Sequence, residues 1–506
     1  MLAINVRLEP TTTYSILIMT STLSQKLETL VEHKSAILLG SLPAESDKWN
    51  DVLSPFDGTL VGKVQIPNPD QIEIALQKVT EGFELVSGLA PSQRARILNK
   101  ASELITENGE ALSKLISLEV GKPIKQASVE VRRTADLFKL SAEEALRIGG
   151  EIIPLSRQEA NSKRLATLTF HPLGPVLAIS AFNFPLLVTA HKVLPAIAAG
   201  NSVLLKPSPA GAITAYNLAK ILLKAGLPEE GLCLLNCSNQ QTERLAQDYR
   251  IKAINFTGSS QVGWNLRSMA HPGCKVLLEL GGNAPVIVHQ DADLEKAIPA
   301  CLRGAFAFSG QSCISTQRIY LHDRILPDFI DAFVETSRNL VIGNPLQDDT
   351  DLGPLISEAA VKRVHLWVEE AVSEGAKLLL GGQMLSNNCY SPTILRDVKS
   401  KMNVVCSEVF GPVVSLLSYA NLDEAIEQAN DSQYGLSAGL FTQDIDLAFS
   451  ISRRLNSGTI MINDSSAFRA EEMPVGAYNQ SGIGLESPRY AIKELSNSKV
   501  TCLNLS

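Results

Sequence analysis

The sequence lacks an excess of positive charge and any long run of apolar residues. Lys and Arg number 45 against 53 Asp and Glu, which gives a formal net charge of −8. Nucleic acids are bound through clustered Lys and Arg, so a nucleic-acid partner is not expected. No apolar run reaches the ~18 residues that span a bilayer, so a membrane partner is not expected either.

Cysteine is scarce, and the spacing of the eight cysteines excludes a zinc-type site. They form no CxxC pair and no Cys/His ligand set, so we expect no metal. The irregular spacing in a chain of 506 residues indicates a reducing compartment rather than a disulfide framework. We therefore predict a cytoplasmic protein in which most cysteines are small buried hydrophobes.

What the sequence does have is an ordinary globular composition. Hydrophobic residues make up 45% and charged residues 19%, which is enough apolar surface for a core. At roughly 150 residues per domain, the length suggests about three domains. Residues 1–25 hold one short apolar patch at 16–19, shorter than the about 7–15 residues of a signal-peptide core. We expect an N-terminal extension over 1–25, with Met19 as an alternative start.

Helical and strand patterns alternate along the chain, as in α/β proteins. Amphipathic patterns predict helices at 71–89, 91–116 and 125–147 and a strand at 165–170. Further along, an open parallel sheet is predicted from strands at 174–180, 202–205, 232–235 and 253–257 with helices at 187–199, 214–225 and 241–247. Ligands bind beyond the carboxyl ends of such strands, which makes the loops after Ser180, Leu205 and Thr257 candidate site loops.

Two of these loops carry a polar side chain suited to a ligand. Asn183, in the run Phe-Asn-Phe-Pro, can aim an amide N–H at an oxyanion, or simply begin a turn before Pro185. Lys206 ends a strand in the run Lys-Pro-Ser-Pro and suits a hydroxyl-rich or phosphorylated ligand, or is a solvated surface lysine. Neither residue decides between these alternatives alone.

The third loop, 256–263, reads Phe-Thr-Gly-Ser-Ser-Gln-Val-Gly. Small residues that open a helix after a strand form an anion site from backbone N–H groups and the helix dipole. The loop is neither a GxGxxG fingerprint nor a Walker loop, because Trp264 stands where the lysine would be. The pattern therefore leaves the identity of the ligand open.

Cys313, Glu279 and Asn183 together form a candidate catalytic set. Cys313 follows Gly-Gln-Ser on a short loop, and Glu279 precedes a Leu-Gly-Gly turn. Covalent catalysis through cysteine needs a nucleophilic thiolate, an oxyanion donor and a base for the second step. A lone cysteine is more often an inert buried thiol, but the three residues in combination favour a nucleophile.

At these residues the chain resembles the aldehyde dehydrogenase superfamily, from about Leu53 to about Leu503. The motifs follow in the family's order, namely FNFP at 182–185, KPS at 206–208, FTGSSQVG at 256–263, ELGGN at 279–283, GQSC at 310–313, EVFGP at 408–412 and SGIGLE at 481–486. The resemblance implies oxidation of an aldehyde to the acid with reduction of NAD(P). It makes Cys313 the nucleophile, Asn183 and the Cys313 N–H the oxyanion donors, and Glu279 the base that activates water.

The same resemblance assigns further residues one by one. Lys192 and Glu486 match positions linked to proton relay, although each also fits an ordinary structural charge. The cofactor positions are Lys206 for the adenosine ribose, Gly258 and Ser259 for the pyrophosphate, Val262 for the adenine, Glu408 for the nicotinamide-side ribose and Phe410 for the nicotinamide. The predicted cofactor site also includes Ser180, Ala181, Phe182, Ser208 and Leu280.

One departure from the family pattern bears on the choice between NAD and NADP. Many NAD-preferring members carry Glu three residues after this lysine, whereas this chain has Pro209. A carboxylate there would repel a 2′-phosphate, so its absence favours NADP or the use of both. No Arg follows directly after Leu235, where some NADP users place one, and the choice stays open.

The substrate motifs resemble one branch of the family. The runs GQSCISTQR at 310–318 and FRAEEMP at 468–474 are similar to lactaldehyde, succinic-semialdehyde, phosphonoacetaldehyde and non-phosphorylating glyceraldehyde-3-phosphate dehydrogenases. The last of these usually carries a basic residue before the Cys, where this chain has Ser312. Arg133 and Arg469 suit an anionic substrate through paired hydrogen bonds, or form surface or interface salt bridges. We expect a small acidic or hydroxylated aldehyde, such as succinic semialdehyde or lactaldehyde.

The resemblance also implies an α/β architecture in several parts. A Rossmann-like parallel-sheet cofactor domain is expected over 26–152 and 172–280, and a second α/β catalytic domain over 281–487. A small β oligomerisation arm is expected from residues 153–171 and 488–506, and it would assemble a homodimer or homotetramer.

Other functions compete with oxidation to the free acid. A CoA-acylating member would pass the acyl group to CoA, but such an enzyme does not need the base Glu279. Oxidation of glyceraldehyde-3-phosphate is an alternative within the same branch. A catalytically silent structural member is disfavoured by the intact Cys313, Glu279 and Asn183.

Overall fold

The computed structural model describes residues 32, 34–42, 46 and 48–505. The extension expected over 1–25 and the alternative start at Met19 lie outside these residues. Among the described helices, none is long and apolar enough to cross a membrane.

Helices and short strands alternate over most of the described chain. The strands are β1 (Lys34–Ser35), β2 (Trp49–Leu53), β3 (Leu60–Gln65), β4 (Glu151–Ile153), β5 (Arg164–Pro172), β6 (Val176–Ile179), β7 (Val203–Lys206), β8 (Leu232–Leu234), β9 (Ala253–Thr257), β10 (Lys275–Glu279), β11 (Ala284–Val288), β12 (Thr316–His322), β13 (Lys377–Leu380), β14 (Thr393–Arg396), β15 (Val413–Tyr419), β16 (Ser437–Phe441), β17 (Thr459–Ile462), β18 (Gly482–Ile483) and β19 (Ser496–Asn504). The α-helices are α1 (Pro69–Ser87), α2 (Pro91–Glu107), α3 (Gly109–Val120), α4 (Ile124–Leu146), α5 (Leu187–Ala199), α6 (Ala212–Lys224), α7 (Asn239–Gln247), α8 (Ser260–Met269), α9 (Leu294–Phe306), α10 (Leu326–Arg338), α11 (Glu358–Ser373), α12 (Asn403–Cys406), α13 (Leu422–Asn430), α14 (Ile445–Arg454) and α15 (Pro488–Glu494).

The first of two large sheets has six strands in the order β18-β10-β9-β6-β7-β8. Its strands run parallel except β18, which is antiparallel to β10. The strand ends are level, because Ile179 pairs with both Lys206 and Phe256, and Thr257 pairs with Glu279. The open parallel sheet predicted from the sequence is confirmed, and its carboxyl edge carries the candidate site loops.

The second large sheet has seven strands in the order β13-β14-β15-β12-β11-β16-β17. β13 is antiparallel to β14, and the other neighbours run parallel. β11 is buried along its whole length, as its apolar sequence Ala-Pro-Val-Ile-Val requires. The loop that carries Cys313 leads into β12, the central strand of this sheet.

A third, antiparallel sheet joins distant segments in the order β19-β5-β4. β19 pairs with β5 from Ser496, opposite Pro172, to Asn504, opposite Arg164. After Ser496, every residue of β19 is exposed in the single chain. The domain boundaries expected from the sequence stay a prediction.

One predicted helix is wrong. The single helix expected over 91–116 is two helices, α2 and α3, which meet at Asn108 and Gly109. Asn and Gly are poor helix formers, and the Asn108 side chain donates to the carbonyl of Leu104 at 2.7 Å, where α2 ends. The helix expected over 187–199 is confirmed as α5, which is buried at almost every position.

Candidate active site

The start of α5 is fixed by a buried carboxylate from α4. Glu130 Oε1 accepts the backbone N–H groups of Leu186 and Leu187 at 3.0 and 3.2 Å, which satisfies donors left free at a helix start. The Glu130 carboxylate also pairs with the buried Lys122. The loop between β6 and α5, which carries Asn183, is thereby held where it enters α5.

Cys313 follows a backbone segment in an uncommon conformation. Phe308, Ser309 and Gly310 have φ angles of 49, 54 and 70°, in the left-handed region. Such conformations cost free energy in residues other than glycine and persist where the surroundings impose them. At Gly310 no side chain fits, since a Cβ would lie 2.1 Å from the carbonyl oxygen of Gly411. The segment that leads to Cys313 is therefore tightly constrained.

Gln311 holds this loop with both ends of its amide. Its Nε2 donates to the carbonyl of Pro354 at 3.2 Å, and its Oε1 accepts the backbone N–H of Ile356 at 2.9 Å. Its own carbonyl accepts from Asn183 Nδ2 at 3.1 Å. Both Gln311 and Asn183 are buried. The predicted oxyanion donor thus lies against the loop of the predicted nucleophile, Cys313.

Two cavities meet at Cys313. The first, the strand-end cavity, has a volume of about 350 Å³. It brings together all the predicted cofactor residues with Asn183 and Cys313, namely Ser180, Ala181, Phe182, Lys206, Ser208, Gly258, Ser259, Val262, Leu280, Glu408 and Phe410. The second, the arginine cavity, has a volume of about 70 Å³, and its lining includes Arg133, Phe184, His191, Glu279, Ser312, Arg469 and Glu486. Cys313 and Thr257 line both cavities, and sequence reasoning missed Thr257 as a lining residue.

Lys206 is a buried cation in the strand-end cavity. It forms no ion pair with any carboxylate that the structure describes, and burial lowers its pKa. Ser208 and Pro209 line the cavity beside it. A buried cation without a partner is stabilised by an anionic or hydroxyl-rich ligand.

The N-terminus of α8 lies beside the same cavity. Ser259 precedes the helix, and its side chain makes no capping hydrogen bond. Gly258 leaves no room for a side chain, since a Cβ would lie 2.5 Å from the Phe256 ring. Because Gly258, Ser259 and Val262 all line the cavity, backbone N–H groups of this helix start are available to a phosphate.

Glu408 is fixed by the glycine turn after β10. Its Oε1 accepts the backbone N–H of Gly282 at 3.0 Å. A Cβ on Gly281 would lie 2.6 Å from Glu408 Oε2, so this close approach depends on glycine. Burial raises the pKa of Glu408 to about 7, although the Gly282 hydrogen bond and the Arg363 charge oppose the shift.

Cys313 and Glu279, which both line the arginine cavity, have raised pKa values. Burial raises the pKa of the Cys313 thiol to about 12, and the negative charges of Glu408 and Glu279 add to the shift. Burial raises the pKa of Glu279 to about 8, with a further contribution from Glu486. A carboxyl group with such a pKa exchanges protons near neutral pH, which suits a general base.

A set of buried and half-buried ion pairs, the ion-pair cluster, surrounds the arginine cavity and comprises Arg133, His191, Lys192, Arg469, Glu471 and Glu486. Lys192 Nζ lies 2.9 Å from Glu486 Oε1, and Arg469 Nη2 lies 3.1 Å from Glu486 Oε2. Burial alone would raise the pKa of Glu486, but the charges of Lys192, His191 and Arg469 hold it well below its usual range. The two predicted relay residues are therefore in direct contact.

The second carboxylate of the cluster is Glu471. Arg133 Nη2 lies 2.6 Å from Glu471 Oε1, and His191 Nε2 lies 2.7 Å from Glu471 Oε2. Both predicted substrate arginines thus line the cavity and are ion-paired within the chain at the same time. Sequence reasoning missed His191 and Glu471, although each lies within two residues of a predicted residue, Lys192 or Arg469.

All eight cysteines are free. Over the residues that the structure describes, no group of three or more His, Cys, Asp or Glu side chains is placed to hold a metal ion.

The fold and the site define a class, namely an α/β protein with a cysteine between a cavity that contains a buried lysine and a smaller cavity lined by arginines. Residues 42–501 match the model of the Aldehyde dehydrogenase family, and the chain belongs to this family. It is an oxidoreductase that acts on aldehydes.

Three known proteins illustrate the similarity. The chain is 40% identical to 3-sulfolactaldehyde dehydrogenase of Priestia aryabhattai over 456 residues, 90% of this chain and 95% of that protein. Aldehyde dehydrogenase 21 from Physcomitrella patens, in complex with the reaction product succinate, matches with a TM-score of 0.91 and 37% identity over 93% of this chain and 98% of that chain. Glyceraldehyde-3-phosphate dehydrogenase GapN from Methanocaldococcus jannaschii, complexed with NADP, matches with a TM-score of 0.87 and 36% identity over 91% of this chain and 100% of that chain. The branch predicted from the motifs is confirmed.

Proposed function

We propose that the enzyme oxidises a small acidic or hydroxylated aldehyde, such as succinic semialdehyde or lactaldehyde, to its carboxylic acid with reduction of NAD or NADP. The observation that carries this proposal is the position of Cys313, which lines both the strand-end cavity and the arginine cavity. A nucleophile at this position borders both the cavity that would hold the cofactor and the cavity that would hold the aldehyde.

The strand-end cavity fits a nicotinamide dinucleotide. Lys206 offers a buried cation to the adenosine ribose or its phosphate, and the helix start after Ser259 offers backbone N–H groups to the pyrophosphate. Glu408 offers carboxylate oxygens to ribose hydroxyls. With Pro209 beside Lys206, a 2′-phosphate meets no like charge at that position, which favours NADP or the use of both cofactors.

The first chemical step is at Cys313. The thiol passes its proton to the carboxylate of Glu279, which lines the same cavity, and the sulfur bonds to the aldehyde carbon, which forms a thiohemiacetal. The carbonyl oxygen gains negative charge, and the Cys313 N–H and the Asn183 amide stabilise it. Asn183 uses one of its two N–H groups on Gln311, so the other remains for the substrate. A bound nicotinamide would supply a hydride acceptor for the former aldehyde carbon, and Cys313 would then hold the acyl group as a thioester.

Glu279 also acts in the second step. It takes a proton from a water molecule whose oxygen attacks the thioester carbon, the carbon–sulfur bond breaks, and the acid leaves. Lys192, Glu279 and Glu486 line one small cavity, which supports the ion pair of Lys192 and Glu486 as the route by which this proton leaves.

Arg133 and Arg469 are the proposed anchors for the acidic end of the substrate. Both line the arginine cavity with Cys313, and arginine binds carboxylate or sulfonate through paired N–H groups. The name of the Priestia relative and the succinate in the Physcomitrella structure support an acidic aldehyde.

We also propose that the enzyme is a cytoplasmic homodimer or homotetramer. β19 is the edge strand of the third sheet, and its exposed residues offer a surface for pairing with another chain. Light scattering in solution tests the oligomer, and a monomer at micromolar concentration would contradict it.

A panel of acidic, hydroxylated and plain aldehydes, each tested with NAD and with NADP, is the experiment that tests the proposal. Absorbance of the reduced cofactor gives the rate, and product analysis without CoA separates hydrolysis from acyl transfer. We expect acid without CoA and the highest kcat/KM for a small acidic or hydroxylated aldehyde. Full activity of a Cys313→Ala variant would contradict the mechanism.

A further inference from the structure

The ion-pair cluster contains one carboxylate that the proposed mechanism does not use. Glu471 is buried and contacts the residues that line the arginine cavity rather than lining it itself. Its Oε1 accepts from Arg133 Nε at 2.7 Å and lies 2.6 Å from Arg133 Nη2. Its Oε2 lies 2.7 Å from His191 Nε2 and 4.0 Å from Arg469 Nε. One carboxylate thus contacts both cavity arginines.

The fixed charges of the cluster do not cancel. Its three permanent cations, the two arginines and Lys192, meet two carboxylates, Glu471 and Glu486, at distances of up to 4.0 Å. His191 lies between these two carboxylates, with Nε2 2.7 Å from Glu471 and Nδ1 3.8 Å from Glu486. The cluster therefore has more basic than acidic side chains, and Glu471 contacts both arginines that line the cavity.

We propose that Glu471 is a specificity-determining residue that lowers the positive charge of the arginine cavity and so favours an aldehyde with a single negative charge over a more highly charged one. The inference rests on the proposed function, since it takes Arg133 and Arg469 as the anchors of an acidic aldehyde. By pairing with Arg133 and lying 4.0 Å from Arg469, Glu471 lowers the positive charge that these arginines present to a substrate. A phosphate carries about −1.5 to −2 near neutral pH, so its binding depends on this positive charge more than the binding of a carboxylate or sulfonate does.

Glu471 acts through its neighbours, so it is a positioning residue. Its two contacts to Arg133 fix the plane of that guanidinium, and its contact to His191 ties the loop after Arg469 to α5. The loop that carries Arg469 is thereby held to α4 and α5, the helices that contribute Arg133 and His191.

The test compares kcat/KM for three aldehydes in the wild type and in Glu471→Gln. Succinic semialdehyde carries one carboxylate, glyceraldehyde-3-phosphate carries a phosphate, and lactaldehyde is uncharged. The variant keeps the shape of the side chain and exposes one more positive charge to the cavity. We expect the ratio of kcat/KM for the phosphorylated aldehyde to that for succinic semialdehyde to rise by about tenfold, through KM more than kcat. The kcat/KM for lactaldehyde, which is uncharged, should stay within about threefold of its wild-type value.

Glu472→Gln is the matched control, because Glu472 is the exposed neighbour of Glu471 and undergoes the same change of charge. It should leave the ratio unchanged. Glu471→Asp keeps the charge and should keep the wild-type ratio even if KM rises. Arg133→Gln removes a positive charge and should move the ratio in the opposite direction, which tests the charge argument even where Glu471→Gln does not fold.

Equal losses for all three aldehydes in Glu471→Gln would show a structural role only and would overturn the proposal. An unchanged ratio in both Glu471→Gln and Arg133→Gln would overturn it as well. Failure of the proposed function is a separate result, namely a wild type that prefers plain aldehydes to both acidic and hydroxylated ones. The change in the ratio of kcat/KM values is measured in each variant relative to the wild type, whereas the proposed function is judged from the wild type alone. Failure of the proposal about Glu471 can therefore be distinguished from failure of the proposed function.

Discussion

The two cavities that meet at Cys313 are built in different ways. The strand-end cavity is built by level strand ends and by glycines such as Gly281, where the backbone must approach Glu408 closely. The arginine cavity is built by charges from separate elements, with Arg133 on α4 and Glu471 on a late loop. The first depends on backbone path and the second on pairing of side chains, so substitutions should affect cofactor and aldehyde separately.

Cys313 is the strictest test of this separation, because it lines both cavities. Cys313→Ala removes the nucleophile, and we expect kcat/KM to fall by more than about 10⁴-fold with every aldehyde. Cofactor affinity, measured by fluorescence titration, should stay within about threefold, since the sulfur is not a proposed cofactor ligand. Cys406→Ala is the matched control, because Cys406 is half-buried, lines neither cavity and should tolerate the change.

Asn183 should show the next largest effect. Asn183→Ala removes an oxyanion donor and the hydrogen bond to the Gln311 carbonyl, and we expect kcat to fall by about 10²–10³-fold. Asn183→Asp keeps the size of the side chain but loses its N–H groups, and we expect kcat to fall at least as far in this variant. Thermal unfolding of both variants separates loss of the donor from loss of the fold. A kcat within threefold of wild type in either variant would exclude Asn183 as the donor.

Lys206 tests the separation of the two cavities at a residue that lines only the strand-end cavity. Lys206→Gln removes a buried cation that the described carboxylates leave unpaired, and we expect KM for NADP to rise by about 10–100-fold and KM for NAD by less. KM for the aldehyde should not change. Lys224→Gln, on the exposed end of α6, is the control. Equal effects on NAD and NADP would show that Lys206 does not meet the 2′-phosphate.

The difference between the two cavities also explains which of their residues could be predicted from the sequence. Asn183 and Lys206 were predictable because a strand end followed by a polar residue is a local pattern, and parallel strands bring their ends together. The contact between Glu471 and His191 joins residues far apart in sequence, and no local pattern indicates which buried charges pair. The break at Asn108 was missed for a related reason, since the apolar spacing continues across it although the backbone does not.

The smallest expected effect is the pH dependence of the hydrolysis step, which we assign to Glu279. This residue lines the arginine cavity but not the strand-end cavity. Its raised pKa of about 8 means that the ionised base is a minor form at neutral pH and the major form above about pH 8. The rate of thioester hydrolysis should therefore rise about tenfold from pH 7 to pH 9 and then level off. Single-turnover acid release across this range measures it, and Glu279→Gln should be slow and independent of pH. A wild-type rate that is flat over the range would show that another group is the base, whereas a rise in cofactor binding over the same range would show that the two cavities are not separate in function.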